Sequence, residues 1–167
     1  MKELHRGMKL DIGSGNPAEG ELQADTSFVL QDAEPHPGID LVCDIRDLDK
    51  HIKDNYVGVI RASHVLEHFH SKELTSHILP MLHRILMPGG YLKIIVPNFY
   101  WHATLVMAGH DEKAVFYSFG GGLDKYDHHY TGWTPKLAEK WLTEAGFEIV
   151  DIYGVDCIHI EAKKKDD

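Results

Sequence analysis

The sequence has few cysteines and no long hydrophobic segment. Cys43 and Cys157 are its only cysteines, and both lie in apolar stretches. Two distant thiols of this kind are typical of small buried side chains in a reducing compartment rather than of a disulfide framework. No apolar run is long enough to span a bilayer, and no charged-then-apolar leader precedes the first predicted strand. We therefore expect a cytoplasmic protein with no membrane partner.

The sequence also has fewer basic than acidic residues. The chain has 17 Lys and Arg against 26 Asp and Glu, which gives a net charge of −9 with histidine neutral. A surface of this charge repels phosphate backbones, so we expect no nucleic-acid partner. The length of 167 residues and a hydrophobic content of 43% fit one domain over 1–167 with a substantial core.

The most informative stretch is 9–16, KLDIGSGN. Leu10 and Ile12 are apolar, and they run directly into Gly13 and Gly15. This pattern predicts a buried strand followed by a loop in which glycine allows backbone conformations and close approaches that a side chain would prevent. In an open α/β sheet, ligands bind outside the carboxyl ends of the strands, and a glycine-rich turn lets the backbone approach them. The rest of the chain is interpreted as a platform around this turn.

Further strands are predicted at 21–25, 39–45, 56–63, 91–98, 147–153 and 157–161. Helical spacing of apolar residues predicts a helical run over 65–86, which Pro80 breaks or bends. A helix is also predicted at 135–145, with Thr134 as its N-cap and Pro135 as its first residue. The polar stretch 47–55 and the stretches 101–107 and 113–119 are further candidate helices. The stretch 27–38 contains Pro35 and Pro37 and is predicted to be loop. The alternation predicts an α/β fold: a doubly wound, mainly parallel sheet, with an antiparallel edge strand supplied by the last strand pair.

Acidic residues end the second and third predicted strands, at Asp25 and Asp44. Alone, each is equally well explained as a solubilising residue at a strand end. Because the carboxyl ends of parallel strands meet at one edge of a sheet, the pair together favours a binding site beside the glycine loop.

These residues resemble the class I S-adenosylmethionine-dependent methyltransferases. The resemblance rests on LDIGSG at 10–15, Asp25, Asp44-Ile45, SHVLEH at 63–68, the helix, Pro-Gly-Gly turn and strand over 82–96, and the segment 129–147. It covers nearly the whole chain. It implies the Rossmann-like methyltransferase fold, a seven-stranded sheet with one reversed strand, and S-adenosylmethionine as cofactor.

The resemblance also implies roles for individual residues. Gly13 and Gly15 would flank the methionyl part of the cofactor, and Asp25 would accept both ribose hydroxyls. The adenine would be held by Asp44 and Ile45, and the floor beneath the methyl group would be formed by Ser63 and His64. Asp11 and Ser14 complete the implied cofactor-binding set. An acidic pocket suits the cationic sulfonium, and a carboxylate accepts two hydroxyl hydrogen bonds.

Acceptor-binding residues are predicted in two places, after a glycine triplet and at the end of the fifth predicted strand. His128, His129 and Tyr130 follow the glycine triplet 120–122, which suits a lid over the substrate, although a solvated loop tip explains them equally well. Asn98 ends the fifth predicted strand and faces the same edge, unless it is only a turn residue. We predict methyl transfer to an unidentified small-molecule or glycan-type acceptor, with no catalytic residue assigned.

Other functions fit parts of the sequence. The short first crossover and the lack of N-terminal covering helices are compatible with a non-catalytic cofactor-binding or scaffold subunit, as a homo-oligomer or with a covering partner. The pattern G-x-G-x-x-A at 13–18 suggests a dinucleotide-binding protein, but Asp25 follows too soon for it. His64 to His68 matches H-x-x-E-H of zinc hydrolases, with His70, His77 or His83 as a third ligand. The family resemblance accounts for the same residues without a metal ion, so no metal site is predicted.

Overall fold

Seven strands form one mixed sheet in the order β3-β2-β1-β4-β5-β7-β6. The computed structural model describes residues 2–17, 27–122 and 126–166. The strands are β1 (Met8–Ile12), β2 (Phe28–Asp32), β3 (Leu41–Val42), β4 (Val57–Ser63), β5 (Leu86–Pro97), β6 (Phe147–Tyr153) and β7 (Cys157–Lys164). The first five strands are parallel to one another, and β7 runs antiparallel to both β5 and β6. The predicted mainly parallel sheet with an antiparallel edge is confirmed.

The second strand lies in a stretch that was predicted to be loop. Phe28 to Leu30 are buried and pair in parallel with β1, so the loop prediction over 27–38 was wrong for Phe28–Asp32. Apolar residues buried on both faces are typical of an inner parallel strand, and the two prolines that follow had obscured this short run. The strand predicted at 21–25 lies outside the described residues, which leave out 18–26. The crossover from β1 to β2 is therefore 13–27, the length that a parallel connection needs.

The third and fourth strands lead into short helical turns. Strand β3 is shorter than predicted, because Asp44 begins a 3₁₀ turn over Ile45–Asp47, which continues into helix α1 (Leu48–His51). After β4, a second 3₁₀ turn covers Leu66–His68. Both turns therefore lie immediately beyond the carboxyl edge of the parallel strands.

The helical run before β5 is continuous from 71 to 85. It consists of α2 (Ser71–Glu73), a π-helical segment (Leu74–Ile78) and α3 (Leu79–Ile85). Pro80 is the second residue of α3 and has no N–H to donate to the preceding helical turn, so the backbone hydrogen-bond pattern changes there. The predicted break at Pro80 is thus a change from π to α geometry rather than a gap.

The remaining helices are α4 (Phe99–Met107), α5 (Asp111–Phe119) and α6 (Pro135–Glu144). The predicted start of α6 is confirmed, since the Thr134 hydroxyl accepts the Leu137 N–H at 3.2 Å and Pro135 is the first helical residue. No helix among the described residues has both the length and the apolar character needed to cross a membrane.

The two faces of the sheet bury separate apolar clusters. Val29 packs into the main core with residues of β1, β4, β5, α3 and α6. Phe28 and Leu30 point the opposite way, because side chains alternate along a strand, and form a smaller cluster with Ile39. Burial on both sides fixes the strands, and with them the positions of the loops at their carboxyl ends.

Candidate functional site

The loop after β1 contains a glycine, Gly13, at which any side chain would displace neighbouring atoms. Gly13 has φ +60°, and a Cβ there would lie 2.3 Å from Cγ2 of Val65. Gly15 also has a positive φ, +66°, but a Cβ there would have no heavy atom within 4 Å. Gly13 is therefore required by close packing, whereas Gly15 lies beside open space at the mouth of a cleft.

A buried glutamine ties this loop to the next two strands. The Gln31 side chain in β2 accepts the Gly13 N–H at 3.1 Å and donates to the Cys43 carbonyl at 2.6 Å. It is 0% exposed. Sequence reasoning missed Gln31, although a lone polar residue inside an apolar strand is a signal for such a bridge, because a buried amide needs partners. Gln31 holds the carboxyl ends of β1, β2 and β3 in register.

The acid at the end of β2 is Asp32. Its carboxylate accepts the Gly15 N–H at 2.8 Å and the Glu34 N–H at 2.9 Å, so it lies directly beside the glycine loop. Asp32 thus occupies the strand-end position that was expected for Asp25, which lies outside the described residues. Asp25 was chosen only because the second strand was placed too early in the chain.

The acid after β3 lies where it was expected. Asp44 accepts the Arg46 N–H at 2.9 Å and forms an ion pair with the Arg46 guanidinium at 3.0 Å. Ile45 beside it is buried. Arg46 also pairs with Glu73 and lies 4.8 Å from the ring centroid of Phe69. The guanidinium is therefore committed to two carboxylates, and Ile45 offers an apolar surface next to the Asp44 carboxylate.

These loops surround a cleft of about 790 Å³. Its walls include five residues predicted to bind cofactor: Gly13, Gly15, Asp44, Ile45 and His64. Asp32 and Glu34 add two carboxylates to that of Asp44, and Arg46 is the one lysine or arginine among the described lining residues. The cleft is therefore acidic, which favours a cationic ligand over a phosphate-bearing one.

Four of the predicted site residues, all on or next to strands, lie elsewhere. Asp11 is 6% exposed and forms a bidentate pair with Arg61, at 2.9 and 2.6 Å. The Ser14 hydroxyl contacts the Gln31 carbonyl at 3.3 Å, and Ser63 is the last residue of β4. Asn98 caps α4: its side-chain oxygen accepts the Tyr100 N–H at 3.1 Å and its amide donates to the Val155 carbonyl at 2.8 Å. None of the four is part of the described cleft wall.

His64 lies on the floor of the cleft in a strained conformation. Its φ is +51°, which is uncommon for a residue with a side chain. Its Nδ1 lies 3.4 Å from Oε1 of Glu67, and interaction with this carboxylate raises the pKa of the His64 imidazole despite opposing burial. A proton on His64 therefore persists to higher pH than on a free histidine.

The segment after the glycine triplet packs against the turn that contains Glu67. The backbone N–H groups of Tyr130 and Thr131 donate to the Glu67 carbonyl at 2.9 and 3.2 Å. Tyr126 and Tyr130 line the cleft, whereas His128 and His129 are not part of the described wall. Burial lowers the pKa of His129, so its imidazole is neutral at pH 7. Of the predicted acceptor-binding residues, Tyr130 is the one that the structure brings to the cleft.

The H-x-x-E-H pattern does not form the metal-binding helix of a zinc hydrolase. His64 follows a strand and His68 belongs to a 3₁₀ turn, so the two do not share an α-helical face. The possible ligands that do come together are Glu67, His68 and His129, whose ligand atoms all lie within 4.8 Å of one another. His129 lies 61 positions from His68, and no local spacing in the sequence marks it.

The sequence matches no protein-family model and no curated protein. Solved structures do resemble the chain. A methyltransferase described as S-adenosylmethionine-dependent, from Methanosarcina mazei, has a TM-score of 0.67 at 17% identity, with coverage of 98% of this chain and 94% of that one. The 1,6-didemethyltoxoflavin-N1-methyltransferase of Burkholderia thailandensis, bound to its substrate and S-adenosylhomocysteine, has a TM-score of 0.63 at 17% identity, with coverage of 97% and 72%.

A third similar structure is a complex. It contains the Trm112 methyltransferase activator of Haloferax volcanii and a putative methyltransferase, and the match has a TM-score of 0.64 at 14% identity, with coverage of 97% of this chain and 84% of that one. At these identities the similarity concerns the fold. The chain has the Rossmann-like fold of the class I S-adenosylmethionine-dependent methyltransferases.

Proposed function

We propose that the chain is a methyltransferase that binds S-adenosylmethionine in the acidic cleft. The observation that carries the proposal is the convergence of Gly13, Asp32 and Asp44 on one cleft at the carboxyl ends of β1, β2 and β3. In an open α/β sheet this edge, next to the point where the strand order reverses, is where ligands bind. The sheet order and the position of the cleft thus indicate the same ligand-binding site.

Each wall of the cleft suits one part of the cofactor. Asp32 offers two acceptor oxygens for the ribose hydroxyls, and Asp44 with Ile45 offers an acceptor and an apolar surface for the adenine. The open space at Gly15 admits the methionyl part beside bare backbone. The excess of carboxylates favours the sulfonium cation. We therefore assign to Asp32 the role that the sequence had suggested for Asp25.

The methyl acceptor is proposed to be a small molecule or a glycan-type compound. His64, His68 and Tyr130 also line the cleft, and His64 follows β4, which lies on the other side of β1 from the strands that lead to Asp32 and Asp44. We assign the acceptor to these three residues. In-line methyl transfer depends chiefly on holding the nucleophile, the methyl group and the sulfur in line, so positioning alone lowers much of the barrier. One of the similar structures contains bound 1,6-didemethyltoxoflavin together with S-adenosylhomocysteine.

Calorimetry with S-adenosylhomocysteine tests this function. We expect one binding site per chain for S-adenosylhomocysteine and no binding of NAD⁺, whose pyrophosphate is repelled by the acidic cleft. A folded chain that releases no heat with S-adenosylhomocysteine contradicts the proposal. Binding of NAD⁺ instead supports a dinucleotide-binding protein.

A non-catalytic, partner-bound role is the second candidate. Helices α4 and α5 expose several large apolar side chains, including Met107 at 88% and Phe119 at 62%. Apolar surface of this kind is typical of contact sites, and one similar structure is bound to a methyltransferase activator. Methyl transfer by the isolated chain rules this candidate out. Binding of S-adenosylhomocysteine with no transfer to any acceptor supports it.

A further inference from the structure

We propose that Glu67, His68 and His129 bind a divalent transition-metal ion, with zinc as the best-suited ion. The three side chains come from two segments, the 3₁₀ turn after β4 and the segment before α6. Their ligand atoms lie within 4.8 Å of one another. The site adjoins the cofactor cleft and shares none of the residues assigned to the cofactor, although His68 also lines the cleft where the acceptor is proposed to bind.

The first argument is the buried carboxylate of Glu67. The side chain is 1% exposed, and neither of its oxygens has a hydrogen-bond partner among the described residues. Nδ1 of His64 lies 3.4 Å from Oε1, beyond a good hydrogen bond, so a protonated His64 offsets part of the Glu67 charge and leaves Oε2 without a partner among the described residues. Removing a carboxylate from water costs several kcal/mol unless charge and hydrogen bonds compensate it. A bound cation supplies that compensation.

The second argument is the orientation of the two imidazoles. Nδ1 of His68 lies 3.1 Å from the His128 carbonyl, and Nδ1 of His129 lies 3.1 Å from the Tyr117 carbonyl. A carbonyl only accepts, so each Nδ1 carries a proton, and in the neutral form of the ring Nε2 is then the nitrogen with the lone pair. Metal-binding histidines almost always donate their second ring N–H to a carbonyl or carboxylate in this way. Both rings are thus already in the tautomer that a metal requires.

The third argument is that the backbone holds the two segments together. The Thr131 hydroxyl donates to the Phe69 carbonyl at 2.7 Å, in addition to the two N–H groups that bind the Glu67 carbonyl. The rings of His68 and His129 meet edge to face with centroids 5.0 Å apart. A pre-positioned site of this kind binds a metal without the entropic cost of ordering its ligands.

Ligand chemistry selects the ion. Two imidazole nitrogens and one carboxylate suit zinc, whereas magnesium and calcium prefer oxygen ligands. With zinc–ligand bonds of about 2.0–2.1 Å, neighbouring ligand atoms of a tetrahedral ion are about 3.4 Å apart, which small side-chain rotations achieve here. Three protein ligands leave a fourth position for water or another oxygen, as in catalytic rather than structural zinc sites.

The test is zinc binding to the full chain, purified without a histidine tag and treated with chelator. Titration against a chromophoric competing chelator, with inductively coupled plasma mass spectrometry after dialysis, should give one zinc per chain and a raised melting temperature. Glu67→Gln and His129→Ala should each weaken binding by about 100-fold or more, since even second-shell changes weaken metal sites by about 10–100-fold. His51→Ala, which alters an exposed histidine on α1, is the matched control and should bind zinc like the unaltered chain.

Circular dichroism shows whether each variant is folded, and the near-isosteric Glu67→Gln preserves the packing if His129→Ala does not fold. The proposal is overturned if the folded chain retains no zinc, or if zinc binds equally to the unaltered chain and to Glu67→Gln. Magnesium binding without zinc binding overturns it as well. S-adenosylhomocysteine binding is measured separately on the same samples, so failure of the zinc site and failure of the cofactor site are distinguishable.

Discussion

Replacing Asp32 by alanine is expected to weaken S-adenosylhomocysteine binding by about 100-fold. The carboxylate lies at the end of β2, where it accepts the N–H groups of Gly15 and Glu34 at 2.8 and 2.9 Å. In the complex it would also accept two ribose hydroxyls. A hydrogen bond to a charged group contributes about 1.5–3 kcal/mol. Two such bonds give a lower estimate of about 3 kcal/mol, which is about 100-fold in the dissociation constant.

Calorimetry on Asp32→Ala and Asp32→Asn measures this effect. The asparagine variant keeps one acceptor oxygen but loses the charge, so we expect a smaller loss of about tenfold. Asp54→Ala is the control, because Asp54 is an exposed acid that pairs with Arg84 away from the cleft. Thermal denaturation confirms that each variant is folded.

A comparison with Asp25→Ala separates the two acids. An unchanged dissociation constant for folded Asp32→Ala refutes the assignment of the ribose to Asp32. If Asp25→Ala alone weakens binding, the original sequence-based assignment is restored. If both variants weaken binding by about 100-fold, the crossover 13–27 also contacts the cofactor.

Three other variants or reactions test the geometry of the site. Gly13→Ala should lower the free energy of unfolding by about 2 kcal/mol or more, because a Cβ at φ +60° would overlap Val65; urea denaturation measures this, and an unchanged midpoint contradicts it. Burial, aided by nearby carboxylates, raises the pKa of the Cys43 thiol to about 11 from 9.0. Alkylation of Cys43 at pH 8 should therefore be about 100-fold slower than that of an unshifted thiol, and its rate should increase up to pH 11. Labelling of Cys43 at the rate of glutathione contradicts this prediction. Asp11→Asn should lower the free energy of unfolding by about 2 kcal/mol, since it removes the negative charge from the bidentate pair that the mostly buried Asp11 forms with Arg61, while the dissociation constant of S-adenosylhomocysteine stays the same; a weakened cofactor affinity returns Asp11 to the site.

The sheet could be predicted because its signals are local. A few consecutive residues are enough to predict the apolar strands that lead into Gly13 and Asp44. The same holds for the helix that begins with the Thr134 cap and a proline. The misplaced second strand shows the limit of this approach. Nearby prolines hid the three apolar residues 28–30, whose burial depends on β1 and on the helices of both faces. Because the second strand was placed too early in the chain, Asp25 was chosen as the acid at its end.

The site was less predictable than the fold because several of its contacts join distant residues. Gln31 bridges Gly13 and Cys43, and no periodic pattern marks an amide that bonds to two other strands. His129 meets Glu67 only after the sheet has folded. The sequence expectation of no metal site considered His64 with His68 and had no means of finding a ligand from the segment before α6. Residues that look equivalent in sequence, such as Asp11 and Asp32, separate only when their partners are seen.

A crystal structure of the full chain with S-adenosylhomocysteine tests the central claim most directly. We expect both ribose hydroxyls within about 3 Å of the Asp32 carboxylate, with the adenine beside Asp44 and Ile45. Density for the ligand outside the cleft, or with its ribose on a different acid, contradicts it.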